Sequence, residues 1–272
     1  MNRYQITAQA KEQQKQATKP LVNRLYACYQ EFYNSDRILI DHLAARALPE
    51  ILKDSPSLNL CPPSHRVAQL TSVIRARSFD QEVIGFLEQH PNSVVVNLGS
   101  RLCTRSSRLP VPHESWYEVD TSDVMSLRQR YFTIVKREWD VESDCMNLKW
   151  MKHIRREEEQ PILFILEGVC MYRTAEENQR LFNAIAQKFP GAHLLFDVVS
   201  PRFVNTESTA GTPQPEDFLG ESDANFSWGL GDISELESWG FKLCTGQKLV
   251  IDFKKGFHMN NHIQNMKPYG SG

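Results

Sequence analysis

Residues 93–99 read Ser-Val-Val-Val-Asn-Leu-Gly, and this stretch decides the fold. It is a short β-branched run closed by a glycine, which is typical of a buried strand that ends in a tight turn. Similar runs, which we predict to be strands, follow at 116–120, 131–135, 161–166 and 193–198. Predicted helices separate most of these strands, at 123–130, 147–156 and 175–188. Near-continuous apolar strands that alternate with helices predict an α/β fold with a parallel sheet covered on both faces.

The N-terminal part of the chain is predicted to be helical. Apolar residues recur there at intervals of three or four, and a loop rich in Pro and Ser follows over 53–64. A further helix is expected over 64–89. We therefore expect an N-terminal helical region over 1–64 and a sheet domain over 65–272.

The C-terminal part is predicted to hold a long loop and a closing hairpin. Polar residues, glycine and proline dominate the loop or lid that we expect over 203–225. A short helix at 233–239 follows, and then two strands near 241–243 and 249–251 that would pair with each other. Residues 268–272 are predicted to have no regular structure.

The predicted helix over 175–188 has a sequence signal for its N-terminus. Thr174 stands at the expected N-cap, and Glu177 follows three residues later. This spacing predicts a capping box.

Composition excludes several classes of protein. Lys and Arg number 31 and Asp and Glu number 33, so the net charge of −2 offers no excess of cations for phosphates. No apolar run approaches the roughly 20 residues of a membrane helix, and the polar residues 1–20 do not resemble a signal peptide. Six scattered cysteines, with no CxxC pair and no zinc spacing, indicate reduced thiols. We expect a cytoplasmic protein that binds a small molecule, without nucleic acid, membrane or metal; the oligomeric state is not indicated.

Polar residues stand where the predicted strands end. In a parallel sheet, ligands bind at the carboxyl ends of the strands. Gly99 permits a tight turn after the first strand, although the turn is not GxGxxG. Asp120 ends the second strand, where a carboxylate can accept hydrogen bonds from the ribose of an adenosine cofactor, or can cap the next helix. Asp144 and Glu167 follow the next two predicted strands. A buried Glu167 needs either a partner or a cleft.

Five stretches of the sequence resemble the leucine carboxyl methyltransferase family, and in particular its bacterial branch of polyketide-type O-methyltransferases. They occur in family order: 75–80 (RARSFD), 95–105 (VVNLGSRLCTR), 116–120 (WYEVD), 166–172 (LEGVCMY) and 226–230 (FSWGL). The resemblance implies a class I methyltransferase fold, which is a mostly parallel Rossmann-like sheet with an antiparallel last strand. It also implies S-adenosylmethionine as the cofactor.

The resemblance assigns roles to individual residues of the strand tips. It implies the following cofactor contacts: Arg75 with the methionine carboxylate, Gly99 beneath the methionine portion, Asp120 with the ribose, Asp144 with the adenine amino group, Cys145 on the adenine ring, Glu167 facing the ammonium or sulfonium, and Lys19 as an N-terminal cationic contact.

Two residues depart from the family pattern. Arg101 stands where the family has a second glycine, and Cys103 stands where it has an aspartate. A side chain at position 101 needs a negative φ or accepts strain. Its guanidinium either adds a cation for the cofactor carboxylate or obstructs the turn; we favour the first.

The acceptor is less defined than the cofactor. A carboxylate is already ionised at neutral pH and needs no general base, whereas a hydroxyl does. Tyr172 is a candidate for orienting the substrate, and Phe226 and Trp228 are candidates for an aromatic pocket, with core packing as the alternative. The resemblance therefore implies an O-methyltransferase of small molecules. Alternatives are a protein C-terminal carboxyl methyltransferase, a non-catalytic member of the fold and, with less support, an NAD-dependent dehydrogenase.

Overall fold

The fold is described from a computed structural model. It describes residues 21–56, 66–132, 138–204, 226–247, 250–252, 256–258 and 263–268. Lys19, most of the expected loop over 203–225 and residues 269–272 lie outside the described residues, as does most of the expected loop over 53–64.

A seven-stranded sheet organises the described chain. Its order is β3-β2-β1-β4-β5-β9-β6, from strands β1 (Val94–Leu98), β2 (Ser115–Asp120), β3 (Glu138–Glu142), β4 (Ile162–Leu166), β5 (His193–Asp197), β6 (Phe241–Gln247) and β9 (Ile263–Pro268). Strands β1 to β5 are parallel, and β9 runs antiparallel to both β5 and β6. The predicted mostly parallel sheet with an antiparallel last strand is therefore confirmed.

Helices cover both faces of this sheet. They are α1 (described over 21–32), α2 (His42–Asp54), α3 (Arg66–Gln89), α4 (Arg105–Arg108), α5 (Ser122–Tyr131), α6 (Ala175–Lys188) and α7 (Ser234–Ser238). Helix α6 begins at the capping box that Thr174 and Glu177 predicted, with both reciprocal hydrogen bonds present. Side chains of β1 alternate between the faces: Val94 and Val96 pack in one core, and Val95 packs with residues of α3 in the other.

A third apolar cluster joins the N-terminal helices to the sheet domain. It contains leucines and alanines of α1 and α2, Val73 of α3, Leu102 after β1 and Phe132 after α5. This packing places α1 and α2 beside the turn that follows β1. The N-terminal helices therefore lie close to the carboxyl end of β1.

The third strand lies further along the chain than predicted. The sequence predicted a strand over 131–135, but Tyr131 ends α5, Phe132 packs in the N-terminal cluster, and β3 begins at Glu138. Strand β3 is at the edge of the sheet and pairs only with β2, so it has no need of an apolar run. Its sequence Glu-Trp-Asp-Val-Glu lacked the signal that the prediction used.

The prediction of an α-helix over 147–156 is also wrong. Two short 3₁₀ helices take part of its place, at Cys145–Asn147 and Lys149–Lys152. Leu148 between them has a left-handed φ of 60°, which a continuing α-helix does not permit. The Asn147 side chain accepts the N–H of Lys149 at 2.9 Å, and such a local hydrogen bond competes with helix formation.

The predicted C-terminal hairpin is replaced by longer-range pairing. Strand β6 pairs with β9, while β7 (Val250–Asp252) pairs with β8 (Gly256–His258) in a separate antiparallel ribbon. Pro268, expected to be irregular, belongs to β9. The prediction assumed that the neighbouring segments 241–243 and 249–251 pair with each other, whereas in the sheet β9 lies between β5 and β6.

Candidate active site

The turn that follows β1 is held against the end of β2. Gly99 has a left-handed φ of 66°, and its N–H donates to the Val119 carbonyl at 2.9 Å. Arg101 has a φ of 49°, and its N–H donates to Asp120 Oδ2 at 2.8 Å. Asp120 Oδ1 accepts the N–H of Thr121 at 2.8 Å. The N-cap of α5 is Thr121, so Asp120 orients the turn rather than capping that helix.

Glu167, at the end of β4, is the centre of a buried group of charges. Its Oε2 accepts hydrogen bonds from Arg24 of α1 and from Arg105 of α4, each at 2.6 Å. Its Oε1 lies 3.3 Å from Arg75 Nε of α3. The sequence left open whether Glu167 would have a partner or face a cleft, and the structure gives it three cationic partners.

A second carboxylate, Asp80 of α3, binds two arginines of α4, Arg105 and Arg108. Arg105 is fully buried and donates from Nε to Asp80 at 2.7 Å. Arg108 grips Asp80 through two hydrogen bonds of 2.7 Å, and its Nη1 donates to Thr104 Oγ1 at 2.8 Å. Thr104 in turn donates to Asp41, the N-cap of α2. These charges link the N-terminal helices to the strand tips.

Sequence reasoning missed most of this group. Asp80 and Arg105 lie inside stretches that resemble the family, but the prediction gave them no role. Arg24 and Arg108 lie outside those stretches. The available signal was the position of Asp80 at the end of the stretch 75–80 that resembles the family, because a buried aspartate needs a partner.

The arginines determine the ionisation of the strand-tip carboxyls. Burial raises the pKa of Glu167, but Arg24, Arg105 and Arg75 outweigh it and hold that pKa well below its ordinary value. Burial raises the pKa of Asp197, at the end of β5, although Arg75 and the N–H of Gly168 oppose this. Glu167 is therefore an ionised carboxylate that can face a cation.

Arg75 lies where β4 and β5 end. Its Nη1 is 3.6 Å from Asp197, and its guanidinium lies over Gly168, where a Cβ would come within 3.6 Å of it. Gly168 has a left-handed φ of 68°. The structure thus places the predicted residues Arg75, Gly99, Asp120 and Glu167 at neighbouring strand tips.

Asp144 and Cys145 follow β3 at the next tip. Asp144 is exposed, caps a 3₁₀ helix and accepts the N–H of Met146 at 2.7 Å. Cys145 is buried, and burial together with Asp144 raises its pKa to about 12. Its thiol is therefore neutral and suited to apolar packing.

The predicted substrate residues separate into two places. Tyr172, after β4, packs its ring against Phe226 with centroids 5.5 Å apart. Trp228 lies in the main core, stacks on Trp239 at 5.7 Å and donates from Nε1 to Glu235 at 3.0 Å. Tyr172 and Phe226 thus form one aromatic pair, while Trp228 packs elsewhere.

Some of the buried polar atoms at the strand tips have unused hydrogen-bonding capacity. Within the described residues, neither Ser100 Oγ nor Glu167 Oε1 takes part in a hydrogen bond. Such atoms are rare in folded proteins, where an ordered water or a ligand usually satisfies them.

The described part of the chain has neither a grouped set of metal ligands nor a helix that could cross a membrane. No three or more of its His, Cys, Asp and Glu residues are grouped so as to hold a metal ion. None of its helices has the length and apolar character to cross a membrane.

The fold is that of a class I methyltransferase. A protein from Thermobifida fusca YX assigned as a methyltransferase has a similar structure, with a TM-score of 0.53, 14% identity, and coverage of 93% of this chain and 96% of that one.

The family profile described as leucine carboxyl methyltransferase matches residues 4–186, and the chain belongs to this family. The tetracenomycin polyketide synthesis O-methyltransferase TcmP of Streptomyces glaucescens is 28% identical over 165 residues. The match covers 60% of this chain and 58% of that enzyme. The resemblance predicted from the sequence motifs is thereby confirmed.

Proposed function

We propose that the protein is an S-adenosylmethionine-dependent O-methyltransferase that acts on a small molecule with a carboxylate or hydroxyl group. One observation carries this proposal: in a member of this family, Arg75, Gly99, Asp120 and Glu167 meet at adjacent strand tips. The match to TcmP, a polyketide-synthesis enzyme, supports a secondary metabolite as the substrate class.

The residues present fit the cofactor. S-adenosylmethionine supplies a methyl group on a sulfonium. Asp120 would accept its ribose hydroxyls, since a carboxylate that already accepts two N–H groups keeps further lone pairs. Asp144 would accept the adenine amino group, and the neutral Cys145 would pack on the ring.

The buried atoms without hydrogen bonds lie where the methionine tail would bind. Glu167 Oε1 would accept the ammonium group, and Ser100 Oγ and Arg75 would face the carboxylate. Arg75 already lies between Glu167 and Asp197, so its guanidinium is oriented before the ligand arrives.

The chain's part in the reaction would be alignment and exclusion of water. Methyl transfer is an in-line displacement, which depends on a near-attack geometry. A carboxylate acceptor is already ionised and needs no general base. The aromatic pair Tyr172 and Phe226 would then act only by orienting the acceptor. Excluding water beneath the N-terminal helices would strengthen each polar contact.

Binding and turnover test the proposal separately. Calorimetry with S-adenosylhomocysteine on the wild type should give a saturable isotherm, and Asp120→Ala should weaken binding by about ten- to a hundredfold, through lost hydrogen bonds to a charged acceptor. Asp123→Ala, an exposed acid on α5, is the matched control and should bind like the wild type. Failure of the wild type to bind at millimolar ligand would support the non-catalytic alternative.

The product identifies the chemistry. A panel of aromatic hydroxy acids and a peptide with a free C-terminal leucine would be incubated with methyl-labelled cofactor. Label that alkali releases from a small acid indicates a methyl ester, and label resistant to alkali indicates an ether. Label on the peptide alone would replace the small-molecule substrate with the protein C-terminal alternative.

A further inference from the structure

The turn after β1 contains a residue that does not favour its own backbone conformation. Arg101 is a non-glycine residue at φ 49°, in the left-handed region where a Cβ is disfavoured. Two side chains hold its peptide groups. Asp120 accepts its N–H at 2.8 Å, and Arg128 of α5 donates from Nη1 to its carbonyl at 3.3 Å.

Arg128 contacts more of the turn than this one carbonyl. The same Nη1 donates to the Cys103 carbonyl at 2.8 Å, so that one guanidinium spans both ends of the segment from Arg101 to Cys103. The side chain of Arg128 is only 5% exposed. A buried guanidinium that donates to main-chain carbonyls fixes the path of the chain at this point.

Arg128 itself is oriented by the sheet. Its Nε donates to Asp140 of β3 at 3.2 Å, and its Nη2 lies 3.6 Å from Glu118 of β2. Glu118 is fully buried and accepts hydrogen bonds of 2.8 Å from Asn97 of β1 and Trp116 of β2. Three neighbouring strands therefore determine where the guanidinium points.

We propose that Arg128 is a positioning residue for the cofactor: it holds the strained turn 99–103 in the shape that binds S-adenosylmethionine. It acts through the main chain and does not touch the ligand. Its role matters most in the bound state, because the ribose hydroxyls then share Asp120 with the Arg101 N–H. This inference rests on the proposed function.

Substitution of Arg128 tests the proposal because a positioning residue should affect cofactor binding much more than turnover. Arg128→Met should weaken S-adenosylhomocysteine binding at least tenfold and raise the KM for S-adenosylmethionine, with kcat at saturating cofactor within about twofold. Arg128→Lys should be intermediate, because an ammonium cannot reach both carbonyls and both carboxylates. Arg130→Met is the matched control on the same helix: Arg130 is exposed, pairs with Asp54, and its loss should leave affinity unchanged.

A double-mutant cycle separates positioning from general stability. Glycine at position 101 accepts φ 49° without strain, so Arg128→Met should weaken binding several-fold less in the Arg101→Gly background than in the wild type. An equal loss in both backgrounds, or an unchanged affinity with a lower Tm, overturns the proposal. Where Arg128→Met fails to fold, Arg128→Lys is used in the same cycle with the same criterion. Absence of binding by the wild type would instead refute the proposed function.

Discussion

At the scale of single residues, Arg101 shows how one substitution in a turn changes the demands on its neighbours. A glycine there would adopt the left-handed conformation freely, whereas a side chain destabilises it by roughly 1–2 kcal/mol. The strain that the sequence analysis foresaw is present, since φ is 49°. Whether the guanidinium also contacts the cofactor remains a prediction.

Replacing Arg101 by glycine should stabilise the free protein. We expect the free energy of unfolding to rise by about 0.5–1 kcal/mol, because relief of strain outweighs the extra freedom of glycine in the unfolded chain. Urea denaturation measures this. Glu159→Gly, at φ 62° on an exposed position far from the strand tips, should show a gain of the same sign without any change in cofactor affinity. A lower stability of Arg101→Gly would mean that the Arg101 side chain makes contacts worth more than the strain.

At the scale of elements, two segments that border residues 205–225 are held side by side. Val199 bridges Gly229 and Val204 bridges Phe226, both in parallel orientation. The Leu230 N–H donates to the Val199 carbonyl at 3.0 Å. A Cβ built at Gly229 would lie 2.9 Å from both the Pro201 nitrogen and the Val199 oxygen. Only glycine permits this approach, and the pairing positions Phe226 next to Tyr172.

Two glycine-to-alanine substitutions should have opposite effects on stability. Gly229→Ala should lower the free energy of unfolding by about 1–3 kcal/mol, because backbone atoms must move to admit the methyl group. Gly85→Ala should raise it by up to about 1 kcal/mol, since Gly85 lies inside α3 and a Cβ there meets nothing within 4 Å. Urea or thermal unfolding of the two variants and the wild type measures both changes in the free energy of unfolding. A neutral effect at Gly229 would show that the two segments can separate without loss of stability.

Prediction from the sequence succeeded where local patterns carried the information. The buried strands β1 and β4 are continuous apolar runs, and the capping box at Thr174 is a four-residue signal. Prediction failed at β3, whose edge position removes the need for apolar residues, and at β9, whose partner β5 is far along the chain. In the site, the strand-tip residues could be named, whereas Arg24 and Arg108 could not, because their roles depend on helix packing that no local pattern records.

At the scale of the whole molecule, buried ion pairs connect the N-terminal helices to the sheet. Arg24 of α1 reaches Glu167 of β4, and Asp41 before α2 lies 3.7 Å from Arg108 of α4. Removing one partner from such a group leaves its counter-charges buried, which destabilises a protein by about 3–5 kcal/mol. The acids of this group therefore contribute to the pH dependence of stability.

Glu167→Gln should lower stability most near neutral pH. The pKa of Glu167 in the folded protein is below its ordinary 4.5, so its stabilising contribution is complete above about pH 4.5 and is lost as the pH falls further. We expect the wild type to exceed the variant by about 3–5 kcal/mol at pH 7 and by progressively less below pH 4.5. Urea denaturation across pH 3–7 tests this. Glu50→Gln, in an exposed pair with Lys53, should cost less than about 1 kcal/mol at every pH. A difference for Glu167→Gln that stays constant across the range would contradict the assignment.

The position of β9 has a consequence for synthesis in the cell. Residues 263–268 leave the ribosome after both β5 and β6, yet they lie between these two strands in the sheet. During translation, the peptide groups on one edge of β5 stay unpaired until β9, which begins about 65 residues later, has been made. An exposed edge of that kind invites pairing with other nascent chains. The time between translating β5 and β9 is therefore the interval in which this edge is open to pairing with another chain.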